Sequence, residues 1–263
     1  MKYMIVAGII VGAILVETGR AESKILSSIT SSPPYIIDDG PLVSVIIITL
    51  NESHYLPALL AALNNQTYQN FEVIVVDNGS TDDTAGIAAS WGATILTNSE
   101  YNLALSRNIG AASAHGDILV FIDADTVPEH QGIEKVVESI QEGHVLVYTN
   151  KCSTDSYLHS IGRVTFGMVS LPPMYVSSCF LAMSKEAFNA VGGFPEDCLA
   201  QEGCGEDIRL VQIVREIYGL NRVSYLRTTY VGTSSRRQKV EGLLPPQHWG
   251  HREIRLKILA RKG

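Results

Sequence analysis

The residues best suited to chemistry lie in two acidic strings, Val75-Val76-Asp77-Asn78-Gly79-Ser80-Thr81-Asp82 and Phe121-Ile122-Asp123-Ala124-Asp125. In each, an apolar run stops abruptly in carboxylates, which sets the acids at the carboxyl edge of a buried sheet. That edge is where open α/β sheets bind ligands. Carboxylates converging there from two strands fit a hydrated divalent cation and a nucleotide better than a bare anion. A third acidic string, Gly205-Glu206-Asp207, reads as the start of a helix. Each has a plainer reading beside it. Asp77 could cap the following helix, and for Asp82 and Asp83 capping is preferred. Asp123 and Asp125 could form a solvated strand-end turn, and Glu206 and Asp207 could be ordinary first-turn helix acids.

The elements that must position these acids can be read in order. Residues 43–48 form a β-branched apolar run of buried-strand type. Leu56, Leu59, Leu60 and Leu63 recur at helical spacing. Residues 71–76 are the next strand, and Ser80 with Asp83 forms a capping box for a helix running to about residue 91. A short strand at 93–96 precedes a helix of small residues (Ala104, Gly110, Ala111, Ala112, Ala114), which can lie close to a sheet. The strand at 118–122 then delivers Asp123. Repeated βα units imply an α/β fold with a mainly parallel sheet flanked by helices. Beyond Asp125 the pattern predicts a helix over 127–140, a strand over 145–148 and another over 176–183. A turn follows at 192–195, and the last helix carries Leu210, Val211, Val214 and Ile217. Residues 152–173 show no clear period. This second half should supply the acceptor side of the site.

The chain has 263 residues, 46% hydrophobic and 18% charged, which marks it as globular rather than disordered. Its net charge of -7 is uneven. From Arg236 onward, eight Lys/Arg stand against Glu241 and Glu253, a local +6 that leaves -13 on the rest. A basic tail at 236–263 on an acidic body fits an anionic membrane surface or phosphate-rich partner, or simply a solvated terminal helix. No nucleic-acid partner is expected. Cys152, Cys179, Cys198 and Cys204 show no zinc-ligand spacing, and reduced thiols are the default reading. His248 and His251 flank Trp249 and could reach a phosphate or metal, though a plain surface pair is preferred.

Residues 1–40 read as an apolar leader and linker. The uncharged run over 3–16 is 14 residues long, short of the roughly 17–25 that a membrane-spanning helix needs. A signal-peptide core with Ala21 as a cleavage residue, a short signal anchor and a buried segment all stay open. Asn51, Asn65 and Asn78 begin glycosylation acceptor patterns. Two of them fall in the expected site loops, which disfavours a glycosylating secretory route. The expected location is cytoplasmic, with attachment to the cytoplasmic membrane face through the apolar segment. The leader is expected to be separable, so that a chain beginning near Ile36 still folds and binds its ligand.

Taken together, five strings resemble the inverting glycosyltransferases of family 2, which have the GT-A fold. They are VSVIIITLNE (43–52), NQTYQNFEVIVVDNGSTDDT (65–84), SRNIGAASAHGDILVFIDADT (106–126), GGFPE (192–196) and GEDIRL (205–210). The resemblance covers roughly 41–235, taken as the catalytic domain. It implies an enzyme that moves a sugar from a nucleotide-diphosphate sugar to an acceptor hydroxyl or lipid phosphate, with Mg2+ or Mn2+. The acceptor would be a glycan, a lipid-linked species or a small molecule.

The resemblance also implies roles. Thr49 and Asn51 line the nucleotide pocket, and Asp77 accepts a hydrogen bond from the base. Many relatives carry a second acid next to it, where this chain has Asn78. Arg107 faces the diphosphate. Asp123 and Asp125 form the DxD pair, the first toward the ribose and the second toward the metal. Asp207, with Glu206 beside it, holds the catalytic base, and Arg236 and Arg237 belong to a segment that closes over the donor phosphates. Such a transfer is an in-line attack on the anomeric carbon. It needs a cation and a guanidinium at the departing diphosphate and a carboxylate to take the acceptor proton. A nucleotidyltransferase would need a glycine-rich, basic loop after the first strand, where Thr49-Leu50-Asn51-Glu52 stand instead. A catalytically inactive module of the same fold, binding sugar nucleotide without turnover, is the alternative.

Overall fold

The computed structural model describes residues 2–100, 102–156, 160–161, 164, 179–197 and 205–234, with side chains from residue 12 onward. Among these residues the chain runs α1 (Lys2–Thr30), β1 (Val43–Thr49), α2 (Leu56–Asn64), β2 (Phe71–Asp77), α3 (Thr84–Trp91), β3 (Thr94–Thr97) and α4 (Leu103–Ser113). It continues as β4 (Ile118–Asp123), β5 (Thr126–Pro128), α5 (Gly132–Gln141), β6 (Leu146–Ser153) and β7 (Phe180–Ser184). The last elements are α6 (Lys185–Ala190), α7 (Glu206–Tyr218) and β8 (Val223–Thr233).

One sheet orders its strands β3-β2-β1-β4-β7-β6-β8-β5. The first four are parallel, as their βα connections require. β7 then inserts antiparallel to both β4 and β6, and β8 runs parallel to β6 and antiparallel to β5. The sheet is therefore parallel in its first half and mixed in its second. β1 lies between β2 and β4 and is buried along almost its whole length, which explains its β-branched, largely apolar sequence.

Apolar residues fill both faces. Leu56, Leu59, Leu60 and Leu63 of α2 lie over Val45, Ile47, Val73 and Val75 on one face. Ala104 and Ala111 of α4, with Leu210, Val211 and Val214 of α7, lie over Ile46, Ile74, Val76 and Phe121 on the other. The small residues of α4 do what their size allows. A Cβ on Gly110 would collide with Cγ2 of Ile46 and stand 3.2 Å from Cγ2 of Val76.

Three expectations change. Residues 126–128 are a strand and the helix begins only at Gly132, because Thr126, Val127 and Pro128 pair with β8. Ser80 does not cap α3; Asp83 occupies the cap position without a side-chain bond, and Ser80 turns toward Asp77. The leader and linker expected over 1–40 is one helix as far as Thr30. Its face at Thr18, Ala21, Ile25 and Ser28 is buried. Among the described residues, no helix is long and apolar enough to cross a membrane. Of the strand expected over 176–183, residues from Phe180 are strand, and 176–178 lie outside the described residues.

Candidate active site

Sheet register sets the acids. Thr49 pairs with Asp77, and Ile48 with Asp123, so Asp77 and Asp123 flank the carboxyl end of β1. Two strand spacings separate them, roughly 10 Å. The loops after β1, β2 and β4 thus leave the sheet at the same edge.

Asp77 is 5% exposed and held by its neighbours. Its carboxylate accepts from the Thr49 hydroxyl (3.0 Å), the Ser80 amide (3.0 Å) and the Ser80 hydroxyl (2.5 Å). Asn51 has a φ of 55°, in the left-handed region that asparagine tolerates better than most residues. Its amide donates to Ser80 Oγ and its Oδ1 accepts from the Thr81 amide, which ties the β1 loop to the β2 loop. Asp82 adds to this seam by accepting from the amides of Ser53 and Thr84 and from the Thr84 hydroxyl. Slight burial opposes its charge, but the bonds from Thr84 and Ser53 outweigh it and hold its pKa at about 2.

Asn78 has a structural reason to differ from the acid that the resemblance leads one to expect. Its Nδ2 donates to the Thr49 carbonyl (3.1 Å) and its Oδ1 accepts from Ser106 Oγ of α4 (2.6 Å). A carboxylate could accept from Ser106 but could not donate to Thr49.

Arg107 lies beneath that edge, its side chain 3% exposed. Nη2 donates to Asp123 (3.1 Å) and Nη1 to Glu206 (2.6 Å), and the guanidinium lies 5.3 Å from the centre of the Phe194 ring. Burial works against its charge, but Glu206, Asp123 and Asp207 together keep it protonated. It bridges the end of β4 to the first turn of α7. Asp207 is half-buried in that turn, with Oδ1 accepting from the Ile208 amide. Both first-turn acids sit where the helix dipole favours negative charge.

Asp123 and Asp125 bracket the β4–β5 turn, with the buried Ala124 between them. The Asp123 side chain is 32% exposed. The Thr233 hydroxyl approaches Asp125 Oδ1 at 3.4 Å, and the Ser234 amide donates to its backbone oxygen. These are hard oxygen donors, the kind that Mg2+ and Mn2+ accept. No group of three or more His, Cys, Asp or Glu residues that could hold a metal occurs among the described residues. Among the described residues, Asp123 and Asp125 are the two carboxylates of this turn, a donor set suited to a cation whose other ligands are phosphates and water.

The sequence did not signal three supports. Asn108 of α4 holds the GGFPE turn through the amide and carbonyl of Phe194 and through Glu196, and Phe194 forms the floor under Arg107. Ser106 anchors Asn78. All three lie in or beside the quoted strings, but nothing in their spacing shows who pairs with whom. Arg236, Arg237, Cys198, Cys204, His248 and His251 lie outside the described residues.

A parallel nucleotide-binding half, an inserted antiparallel strand and carboxylates at the ends of β2 and β4 define a GT-A type glycosyltransferase fold. Glycosyl transferase family 2 matches residues 44–191, more than half of the chain, and the chain belongs to that family. It is 36% identical over 108 residues to glycosyltransferase AglE of Haloferax volcanii, covering 38% of this chain and 36% of that protein. To the undecaprenyl-phosphate 4-deoxy-4-formamido-L-arabinose transferase of Aeromonas hydrophila it is 35% identical over 121 residues, covering 42% of this chain and 37% of that one. The chain therefore matches little more than a third of the length of these relatives. Among solved structures, the mannosyltransferase PcManGT of Pyrobaculum calidifontis, in complex with GDP-Man and Mn2+, superposes with a TM-score of 0.59 at 19% identity. That match covers 93% of this chain and 78% of that one, a likeness of fold.

Proposed function

We propose that this chain is an inverting, divalent-metal-dependent glycosyltransferase that takes a sugar from a nucleoside-diphosphate sugar and delivers it to an acceptor hydroxyl or lipid phosphate. The observation that carries this reading is the Asp123–Arg107–Glu206 bridge, which brings the DxD strand and the acidic helix start to one crevice. Support for the donor class comes from PcManGT, whose structure holds GDP-Man and Mn2+. Support for a lipid phosphate acceptor comes from the name of the Aeromonas relative.

Residues 41–235 form the catalytic domain in this reading. Asp77, fixed by Thr49 and Ser80, receives the base, and Asn51 shapes the loop beside it. Asp123 and Asp125 hold Mg2+ or Mn2+, whose contribution when bound is to neutralise the departing diphosphate. Arg107 holds Asp123 in place and adds positive charge below it. Asp207 takes the proton from the acceptor as the new bond forms. Its first-turn position favours the ionised form, which a base needs at neutral pH. The uncharged run over 3–16 attaches the enzyme to the cytoplasmic face of a membrane, near a lipid acceptor.

The test is a panel of UDP-, GDP- and dTDP-sugars with Mg2+ or Mn2+, followed by thermal shift and hydrolysis. One donor should raise Tm only with metal present, by mass action on the folded state. Equal stabilisation in excess chelator would sink the metal assignment, and no response to any donor would sink the donor class.

A further inference from the structure

β5 is three residues long and follows Asp125 directly. Among the described residues its sheet partner is β8, through Thr126 with Thr233, Val127 with Gly232 and Pro128 with Val231. So short an edge strand has little stability of its own. What covers this strand pair is the second half of α1. Ala21 and Ile25 pack with Val127, Cys152 and Tyr230. A Cβ on Gly232 would stand 2.7 Å from Cγ2 of Ile25, so glycine is what lets the helix come down onto β8.

Polar bonds fix the helix at both strands. Lys24 Nζ pairs with Glu129, the residue after β5, at 2.9 Å, and also donates to the Thr228 carbonyl at 3.1 Å. The Glu129 side chain is 6% exposed, and its backbone amide donates to the Tyr230 carbonyl. The Tyr230 hydroxyl donates to Glu17 at 2.8 Å. Directional bonds at the residue that ends the β5 segment, and to β8 opposite, exceed what core filling alone requires. A buried carboxylate that loses its cation is strongly destabilised, so Lys24 bears directly on the β5–β8 pair.

We propose that residues 17–28 of α1 act as a latch: Glu17 and Lys24, bonded to Tyr230 and Glu129, hold β8 against β5 and thereby position Asp125. These four are positioning residues, and the proposal rests on Asp125 being a metal-binding carboxylate. It makes the amino-terminal helix a part of the donor site's scaffold, in contrast to a separable leader.

The test uses the full chain as wild type, Lys24→Met and Tyr230→Phe, with His115→Gln as control at the opposite end of the sheet. Two readouts are needed: amide hydrogen exchange without ligand, and the affinity for UDP and GDP with Mn2+ compared with uridine and guanosine. Lys24→Met should speed exchange at 126–129 and 230–233 while β1 and β2 stay protected. It should also weaken Mn2+-dependent diphosphate binding about tenfold, the size expected when a partner behind a metal ligand is lost. Nucleoside binding should not change. Tyr230→Phe should act in the same direction but less, and it carries the test if Lys24→Met does not fold. Exchange that is unchanged, or that rises equally everywhere, overturns the latch. So does unaltered diphosphate affinity in a protein whose β5–β8 pair has loosened. If the wild type binds neither diphosphate with Mn2+, the proposed function falls, and the exchange data alone decide whether α1 holds the turn.

Discussion

Arg107 shows how a buried charge can be organised at the residue scale. A guanidinium 3% exposed would be costly alone, and here Asp123 and Glu206 reach it from opposite halves of the fold. That arrangement separates the two first-turn acids of α7. Glu206 is committed to Arg107, whereas Asp207 is the carboxylate assigned to the acceptor proton. Asp207→Asn keeps the shape and removes the basicity, so turnover should fall by about 10²–10⁴-fold while donor affinity stays close to wild type. Glu206→Gln should instead weaken donor binding as well, because Arg107 loses the charge of one of the acids that hold it. Steady-state kinetics with separate donor titrations distinguish the two. Turnover lost in Glu206→Gln but kept in Asp207→Asn would move the base by one residue. At the same scale, Asp125→Ala should abolish metal-dependent transfer with Tm nearly unchanged, since the side chain belongs to a turn outside the core. Activity that persists in excess chelator would refute its role.

Elements with strong local patterns were legible from sequence, and those defined by distant partners were not. β1, β2 and β4 announced themselves because both of their faces are buried, which demands continuous β-branched and apolar residues. The small residues of α4 likewise foretold a close approach. Gly110→Ala tests that approach. Alanine favours a helix over glycine, yet the added methyl meets Ile46, so the net change should be a loss of about 1–3 kcal/mol in denaturant unfolding. A gain in stability would mean that α4 can lift off the sheet without cost. By contrast, β5 was read as the start of a helix because three residues cannot show a period of two. β8 gave no signal because its first half is only partly buried and its register with β6 shifts between Thr149 and Asn150. The site followed the same division. Asp77, Asp123 and Asp207 stand at element ends visible in the sequence, whereas Asn78, Asn108 and Phe194 matter through partners 28 to 86 residues away.

For the whole molecule, two carboxylates draw the dependence of stability on pH in opposite directions. Asp82 is held at about 2, below its ordinary 3.8, so it contributes stability above 3.8 that is lost as pH falls toward 2. Glu129 behaves the other way. Burial raises its pKa above 4.5, and Lys24 from α1 and Lys135 from α5 offset this only in part. A raised acid is least costly while protonated, so its contribution is fully present below 4.5 and is lost as pH rises through the folded value. Wild type and Glu129→Gln, compared by thermal unfolding from pH 4 to pH 7, should therefore diverge in a defined sense. Glutamine stays neutral throughout, so the variant should gain on wild type as pH rises. Lys24→Met should steepen the wild-type loss over the same range, because Glu129 would then ionise without its nearest cation. Asp82→Asn gives the opposite check: its deficit should be largest near neutrality and close as pH falls from 4 toward 2. Parallel curves for wild type and Glu129→Gln would mean that water reaches Glu129 and that α1 does not seal it. In that case removing residues 1–35 should cost the apolar packing of Ala21 and Ile25 but leave the pH dependence unchanged. If the curves diverge as argued, the shortened chain should lose stability and its dependence on pH between 4 and 7 should flatten, because Glu129 is then open to water.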